Sequence, residues 1–494
     1  MDDSFDPAKS RNPELVANTV ETWLGNPFSR FMIKVISGKR ENGEHRIEWI
    51  FKKFSGLIND SSDETIRDKF AYRVVEFFLE KGAEPFGITF EEIKDVMKDP
   101  VLRRALRNVL DGIAYFGVQR PQTTYAPFLV VWNLTKQCNL RCKHCYENAG
   151  PKPSPDELTT EEAKKVIDEF YDIGVVAIAF SGGEPLLRKD FFELAKYAAD
   201  KDFYVSVATN GTLISKDVAR ELKESGVQYV EISLDGFEEE HDEFRGIKGT
   251  WRRTIQGIKN CVEVGLDTAV ATTITKHNYK NIEKLIEFVE KELKANRFLA
   301  FNFVPTRRGK DIIEQDLEPE EREKIQKLLY SKLKSTDCRV QTLSTAPQYA
   351  RIAIQDENGP AVFTHFTSQA AMNVKGKART LGEFIGGCGA GRLYCGMEPN
   401  GDIVPCVFLP IKLGNIREQN FMDIWRNHPL LQKIRNRNEF KCNTCPYLYV
   451  CGGCRARAYA YFNDVQAPDP GCIHNKKYWD ILKRGGDIKL YAYK

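Results

Sequence analysis

The sequence predicts an α/β protein built on a partial (β/α)6 TIM-like barrel, with a helical N-terminal region before it and a Cys-rich C-terminal domain after it. Three observations support this fold class. Between residues 128 and 305, six short apolar, β-branched segments alternate with helical ones. The first 122 residues show only helical periodicity. Eight of the thirteen cysteines lie between Cys388 and Cys472, where periodicity is weak.

The length and composition of the chain exclude several classes to which the protein could belong. A chain of 494 residues is expected to form more than one domain. The net charge is only +3, so we expect no nucleic-acid partner, which would require a basic surplus. The sequence has neither a membrane-spanning apolar run nor a secretion signal, which predicts a cytoplasmic protein. Cysteines in that compartment are not expected to form disulfides.

Residues 1–122 form the predicted helical region. Segments 65–83 and 89–117 have apolar residues at i, i+3, i+4 and i+7, and Thr89 with Glu92 forms a capping box. Segments 26–39 and 47–58 are aromatic and basic. They are either core helices or a surface that meets an apolar substrate or a membrane.

Residues 123–310 form the predicted barrel. Alternating strands and helices imply a parallel sheet with right-handed crossovers, and six units are too few for a closed eight-stranded barrel. Residues 311–385 are predicted as a charged linker helix and an irregular region. Residues 386–494 are the Cys-rich domain, in which MEPNGDIVPC predicts a β-hairpin with an Asn-Gly turn.

Three cysteines follow the first predicted strand, at the end of the barrel where active sites lie. Cys138, Cys142 and Cys145 have C-x3-C-x2-C spacing. Three thiolates can bind three irons of a [4Fe–4S] cluster and leave the fourth iron open. Zinc is the alternative, but His144 is adjacent to Cys145 and therefore poorly placed as a fourth ligand.

The segment CNLRCKHCY resembles the signature of the radical S-adenosylmethionine (SAM) superfamily. This resemblance implies that SAM binds the open iron and is cleaved by one electron to methionine and a 5′-deoxyadenosyl radical. The radical then abstracts hydrogen from an unactivated C–H bond. SGGEP, beginning at Ser181, resembles the family's GGE motif, which implies that Gly182, Gly183 and Glu184 bind the SAM amino group. Glycines allow close backbone approach, and a carboxylate supplies the countercharge.

Polar residues end the next two predicted strands, in TNG and SLDG. The resemblance implies contacts with the SAM ribose or carboxylate from Asn210, Ser233 and Asp235. It also implies that Arg245 pairs with the methionine carboxylate, that His144 lies near the adenine and that Tyr146 is part of the cofactor site. Ordinary Asx turns and a solvent-facing histidine are the alternatives.

The C-terminal cysteines resemble the SPASM extension of radical SAM enzymes, which implies two auxiliary [4Fe–4S] clusters. By the family pattern, the nearer cluster is held by Cys388, Cys395, Cys406 and Cys454. The farther cluster is held by Cys442, Cys445, Cys451 and Cys472. The CGGC spacing departs from the usual pattern and leaves the assignment open, and some relatives leave the iron at the Cys395 position open. Two structural zinc sites are the alternative.

These observations predict a radical SAM enzyme that receives electrons from a reductant such as ferredoxin or flavodoxin. Our leading substrate is a membrane-lipid hydrocarbon chain, cross-linked through carbon–carbon bonds as in archaeal lipids. The helical N-terminal region motivates this prediction and a peripheral membrane contact. Peptide or protein modification is one alternative. Tetrapyrrole chemistry is another, because segment 451–472 resembles the C-terminus of haem-pathway decarboxylases. A cluster-bearing electron-transfer protein would not need the GGE motif.

Overall fold

A computed structural model describes residues 26–59, 63–83, 89–356, 378–484 and 488–490. Its centre is a ten-stranded sheet with the order β10-β9-β8-β1-β2-β3-β4-β5-β6-β7. The six predicted strands are confirmed as β1 to β6. The strands are β1 Leu129–Asn133, β2 Ala177–Ser181, β3 Tyr204–Thr209, β4 Val227–Ser233, β5 Asp267–Ile274, β6 Arg297–Asn302, β7 Gln341–Ser344, β8 Tyr394–Met397, β9 Asp402–Val404 and β10 Gly414–Asn415.

All pairings from β8 through β1 to β7 are parallel. For β1 to β6 this confirms the prediction from the strand–helix alternation. Successive side chains of each strand point alternately to the helices that cover the sheet and to the inside of the curved sheet. On β4, for example, Val230 and Ile232 are fully buried in the main hydrophobic core. The sheet stays open, since β7 and β10 are the edge strands of its described part.

Two parts of the sheet differ from the prediction. The region predicted to be irregular contains β7 and two short helices, Gln348–Ile354 and Ala378–Ile385, and its residues 357–377 lie outside the described residues. A four-residue strand is too short to show a period of two in the sequence. The predicted hairpin is confirmed as β8 and β9, but β8 also pairs with β1 and so extends the barrel sheet into the C-terminal region.

The helices of the described chain cover the outside of the sheet, form the N-terminal region and continue through the Cys-rich region. None of them is long and apolar enough to cross a membrane within the described residues. They are α1 Pro27–Ile36, α2 Arg46–Phe54, α3 Ile66–Ala83, α4 Phe90–Val96, α5 Pro100–Phe116, α6 Thr160–Ile173, α7 Phe191–Ala199, α8 Lys216–Glu224, α9 Glu238–Arg245, α10 Thr250–Glu263, α11 Ile282–Phe288, α12 Pro319–Lys334, α13 Gln348–Ile354, α14 Ala378–Ile385, α15 Phe421–Asn427, α16 Pro429–Arg435, α17 Arg455–Phe462 and α18 Lys476–Leu482.

The helical N-terminal prediction is confirmed for the described part of residues 1–122. The capping box of Thr89 and Glu92 is also confirmed at the start of α4. The following periodic segment forms two helices rather than one. Pro100 lacks a backbone N–H and begins α5, and the Asp99 side chain accepts hydrogen bonds from Val101 N and Leu102 N.

Helix α5 docks the N-terminal region onto the amino-terminal ends of β1 to β3. Asn108 Nδ2 donates to Ala126 O and Gly174 O at 2.9 Å, and Arg104 donates to the carbonyls of Lys201 and Asp202. These acceptors precede β1, β2 and β3. Because the three-cysteine loop follows the carboxyl end of β1, the N-terminal region lies at the opposite end of the barrel from that loop.

Candidate functional site

The loop after β1 carries Cys138, Cys142 and Cys145, and each sulfur accepts a hydrogen bond. The donors are Leu140 N and Ala149 N, both at 3.4 Å, and the Arg245 guanidinium at 3.6 Å. Burial raises the pKa of Cys138 to about 12 and also raises the pKa of Cys142. A bound metal would keep such thiols deprotonated at neutral pH, so this donor-lined triad suits an iron–sulfur cluster.

Gly182 and Gly183 follow β2 where the chain passes the cysteine loop. Gly183 N donates to Thr135 O at 2.7 Å, and Glu184 N donates to Gln137 O at 2.8 Å. A Cβ atom on Gly183 would lie 2.2 Å from Gln137 O, and one on Gly182 would lie 2.6 Å from Thr135 O. The glycines therefore allow the end of β2 to dock directly on the loop backbone.

Glu184 is fully buried, and burial raises its pKa to about 7. Its carboxylate accepts hydrogen bonds from Thr209 Oγ1 at 2.7 Å and from Asn210 N at 2.8 Å. The side-chain nitrogen of Asn210, Nδ2, in turn donates to Asn139 Oδ1 at 2.8 Å. These contacts connect the ends of β2 and β3 to the cysteine loop, so the predicted SAM-binding residues also form its scaffold.

The structure pairs two predicted SAM contacts with each other. Asp235 Oδ2 and Arg245 Nε are 2.6 Å apart, and both side chains are buried. Burial raises the pKa of Asp235, although Arg245 opposes the rise. Since Arg245 also reaches Cys142, the pair lies directly against the cysteine triad. The hydroxyl of Ser233, at the end of β4, has no hydrogen-bond partner among the described residues.

His144 and Tyr146 lie on either side of Cys145 and face different surroundings. The His144 ring stacks on Phe244 at 4.2 Å, and burial lowers its pKa well below the usual value, so the ring is neutral. The Tyr146 hydroxyl lies 2.8 Å from Ser181 Oγ, and its ring is 4.9 Å from that of Phe408. Tyr146 therefore lies between the barrel and the Cys-rich domain.

The C-terminal cysteines form two sets. In the nearer set, the thiols of Cys388, Cys406 and Cys454 interact electrostatically, and Tyr394 Oη donates to Cys406 Sγ at 2.9 Å. Cys395 is not with this set. It follows Tyr394 on β8, and because neighbouring strand residues point to opposite faces, its thiol packs in the main core.

The cysteines predicted for the farther cluster are Cys442, Cys445, Cys451 and Cys472, and the structure groups them in two pairs. Cys442 interacts with Cys445, and Cys472 interacts with Cys451. Within the described ranges, no three His, Cys, Asp or Glu side chains converge on a point where a single metal ion would bind. A cubane cluster instead takes each thiolate on a different iron, which keeps the thiols apart.

Three buried arginines surround these cysteines without a carboxylate within ion-pair distance in the described chain. Arg437 donates to the carbonyls of Gly386, Cys388, Leu448 and Tyr449, and Arg392 and Arg455 also donate to backbone carbonyls. A buried cation without a counterion is costly. Thiolate-ligated iron–sulfur clusters carry the negative charge that would compensate them. Sequence reasoning missed these arginines because only the fold brings them together.

Comparison with known proteins agrees with this geometry. Residues 132–290 match the family model described as Radical SAM superfamily, and residues 388–446 match the model described as Iron-sulfur cluster-binding domain. The chain is 37% identical to the AdoMet-dependent heme synthase of Methanosarcina barkeri, over 71% of this chain and 97% of that protein. It is 33% identical to the Fe-coproporphyrin III synthase of the same organism, over 71% of this chain and 88% of the other.

Another relative is the mycofactocin maturase MftC of Mycobacterium ulcerans, 30% identical over 70% of this chain and 88% of that protein. Among solved structures, Streptococcus suis SuiB bound to S-adenosylmethionine superposes with a TM-score of 0.60 at 19% identity, over 87% of this chain and 95% of the other. At that identity, SuiB shows the fold alone. The chain is an enzyme of the radical SAM superfamily, with SAM and [4Fe–4S] clusters as cofactors and a C-terminal iron–sulfur cluster-binding domain of the SPASM type.

Proposed function

We propose that this enzyme abstracts one hydrogen atom from a propionate side chain of a porphyrin-type tetrapyrrole. The carboxyl group then leaves as CO2, a carbon–carbon double bond forms in the side chain, and the one remaining electron would pass to an auxiliary iron–sulfur cluster of the C-terminal domain. The observation that carries this proposal is the 37% identity with a protein named AdoMet-dependent heme synthase, over 97% of that protein's length. The Fe-coproporphyrin III synthase relative points to the same substrate class. The resemblance of segment 451–472 to haem-pathway decarboxylases supports it independently of the barrel motifs.

The lipid substrate that we predicted from the N-terminal helices has less support. In helix α2, Trp49, Ile50 and Phe51 are buried in the hydrophobic core of the N-terminal region itself. That region packs on the end of the barrel opposite the cysteine loop, away from where a radical would form. None of the relatives described above is named for lipid chemistry. A tetrapyrrole therefore replaces the lipid as the proposed substrate.

Each predicted site residue would have its own role in binding the cluster and SAM. Cys138, Cys142 and Cys145 would hold the cluster that binds SAM. When bound, that cluster and SAM supply a 5′-deoxyadenosyl radical. The Asp235–Arg245 pair would orient the bound cosubstrate beside Cys142, and the neutral His144 ring on Phe244 offers a flat surface for the adenine. Cytoplasmic reductants such as ferredoxin or flavodoxin stay a prediction.

Anaerobic incubation with SAM, dithionite and iron coproporphyrin III tests the proposal. We expect 5′-deoxyadenosine and a porphyrin that has lost CO2 together with two hydrogens from a propionate side chain, both detected by mass spectrometry. Cys142→Ala, which removes a ligand of the predicted SAM-binding cluster, should form neither. An unchanged porphyrin in a reaction that cleaves SAM would contradict the tetrapyrrole assignment.

Peptide modification is the second candidate function, because the mycofactocin maturase relative is 30% identical over a similar length. Under this alternative, 5′-deoxyadenosine formation should rise with a peptide substrate and not with a porphyrin. Comparing the two additions in the same preparation separates the candidates, since SAM cleavage is common to both.

A further inference from the structure

Glu231 is a carboxylate on the inner face of the barrel. Its neighbours on β4, Val230 and Ile232, are fully buried in the main core, so the alternation of the strand turns Glu231 to the opposite side. In the register of the sheet, Glu231 lies beside Ala208 of β3 and Ala269 of β5. These two alanines leave free space on both sides of the carboxylate.

No residue that the structure describes forms a hydrogen bond or an ion pair with the Glu231 carboxylate. Its side chain is only partly accessible, and burial raises its pKa to about 7. The titratable groups that face it are Tyr146 from the cysteine loop and Tyr229 from its own strand. Burial raises the pKa of both phenols, and Glu231 adds to the rise. Arg297 of β6 is in register with Glu231 across Ala269, but its guanidinium is paired with Asp267 at 2.6 Å and lies 5.1 Å from the Tyr229 ring centroid.

Aromatic rings line the space between Glu231 and the Cys-rich domain. Phe408 lies 4.9 Å from Tyr146 and 6.2 Å from Phe301 on β6, measured between ring centroids. Ser181, which bonds to Tyr146, is two strands from Glu231, a separation of about 10 Å at the usual strand spacing. The inner face of the barrel therefore combines a group of mutually tilted aromatic rings with a carboxylic acid whose hydrogen-bonding capacity is unused.

We propose that Glu231 binds the substrate by donating a hydrogen bond from its carboxyl group to a carboxylate on a substrate side chain, while Tyr146, Phe301 and Phe408 cover the substrate's apolar ring. This inference rests on the proposed function, because it requires a substrate that is both flat and acidic. A carboxylic acid that keeps its proton near neutral pH is a hydrogen-bond donor, and no cation of the described chain competes for it.

The opposite role makes a different prediction. If Glu231 were an anion that received an N–H group or a cation of the substrate, replacing it with glutamine would weaken binding. If it is a protonated donor, glutamine retains an N–H donor in the same place. Glu231→Gln should then bind as the unchanged protein does, whereas Glu231→Ala should not.

The test is an anaerobic absorbance titration of the cluster-loaded enzyme with iron coproporphyrin III. We expect Glu231→Ala to lose about tenfold or more in affinity, the equivalent of one charge-assisted hydrogen bond. Glu231→Gln should stay within about twofold of the unchanged protein at about pH 6. Glu169→Gln, a half-buried carboxylate of raised pKa on the outer helix α6, is the matched control and should not change binding.

The affinity for the porphyrin should decrease as the pH rises. Raising the pH through about 7 removes the Glu231 proton and places two carboxylates against each other, so affinity should fall between about pH 6 and about pH 8. Glu231→Gln should lack that fall. Iron and sulfide content of each variant serves as the measure of correct folding.

Two results would overturn the inference while leaving the proposed function intact. One is equal porphyrin affinity in Glu231→Ala and the unchanged protein, with conversion of the porphyrin preserved. The other is a loss of affinity in Glu231→Gln as large as in Glu231→Ala, which would make Glu231 an acceptor. If the unchanged protein neither binds nor converts the porphyrin, the proposed function itself is wrong, and the inference is withdrawn with it.

Discussion

Gly183 illustrates how single residues build the site. The space for a side chain at this position is taken by the backbone oxygen of Gln137 in the cysteine loop. The role expected from the motif, contact with a cosubstrate, therefore comes with a second role in docking β2 against the loop. Asp235 and Arg245 also have two roles. They are predicted SAM contacts, and they form an ion pair with each other beside Cys142.

Gly183→Ala should disturb this docking. The added Cβ would lie 2.2 Å from Gln137 O, so the loop backbone must move, and overpacking of this kind typically costs about 1–3 kcal/mol. We expect a lower free energy of unfolding and reduced iron content after anaerobic reconstitution. Gly150→Ala is the control in the same loop, since nothing lies within 4 Å of its added Cβ. Equal iron content in both variants would contradict the docking role.

Cys395→Ala should retain the iron of the nearer auxiliary cluster, because its thiol points into the main core rather than toward Cys406. The small cavity should cost about 1 kcal/mol of stability. Cys406→Ala, in contrast, should lose that cluster. Iron quantification and electron paramagnetic resonance of the two variants provide the measurement, and loss of a cluster signal in Cys395→Ala would restore this cysteine as a ligand.

At the scale of elements, Arg437 joins the two loops that carry the auxiliary cysteines. Its guanidinium donates to Gly386 and Cys388 on one side and to Leu448 and Tyr449 on the other. The loops also meet directly, where Cys388 N donates to Cys451 O at 3.2 Å. Arg437 thus lies between the two cysteine sets and interacts with thiols of both.

Arg437→Gln should lower the reduction potentials of both auxiliary clusters, because a positive charge stabilises the more negative reduced state. A unit charge about 7 Å away, at an effective dielectric constant of about 20, contributes about 2 kcal/mol, or about 0.1 V for one electron. Redox titration followed by electron paramagnetic resonance measures the shift. Arg103→Gln changes a buried arginine of the N-terminal region and should leave both potentials unchanged. A shift confined to one cluster would contradict the shared position.

At the scale of the whole molecule, the two ends of the barrel have different roles. The carboxyl ends of the strands carry the predicted active site, and the amino-terminal ends contact the N-terminal region. The cysteine loop, the GGE segment and the Cys-rich domain meet at the carboxyl ends of the strands. Helix α5 closes the amino-terminal ends, where Asn108 donates to two barrel carbonyls and accepts from Ala126 N at 3.1 Å. A substitution at the amino-terminal end should therefore lower the stability of the fold without changing the rate of SAM cleavage, which depends on residues at the carboxyl end.

Asn108→Ala tests this separation. It leaves buried backbone groups of Ala126 and Gly174 unpaired, at a cost of about 1–3 kcal/mol for each group. We expect a clear drop in the melting temperature of the loaded enzyme. The rate of 5′-deoxyadenosine formation at a temperature where the variant is folded should stay unchanged. A folded variant with impaired SAM cleavage would show that the two ends are coupled.

The sequence by itself determined the six barrel strands, the helical N-terminal region, the hairpin and the cysteine triad, because each has a local signal in periodicity, turn residues or spacing. It did not reveal β7, the pairing of β8 with β1, the displacement of Cys395 or the end of the barrel on which the N-terminal helices dock. Those features depend on contacts between distant segments, and strand alternation alone turns Cys395 away from its neighbours. The same alternation places Glu231, an unremarked residue of an apolar segment, inside the barrel.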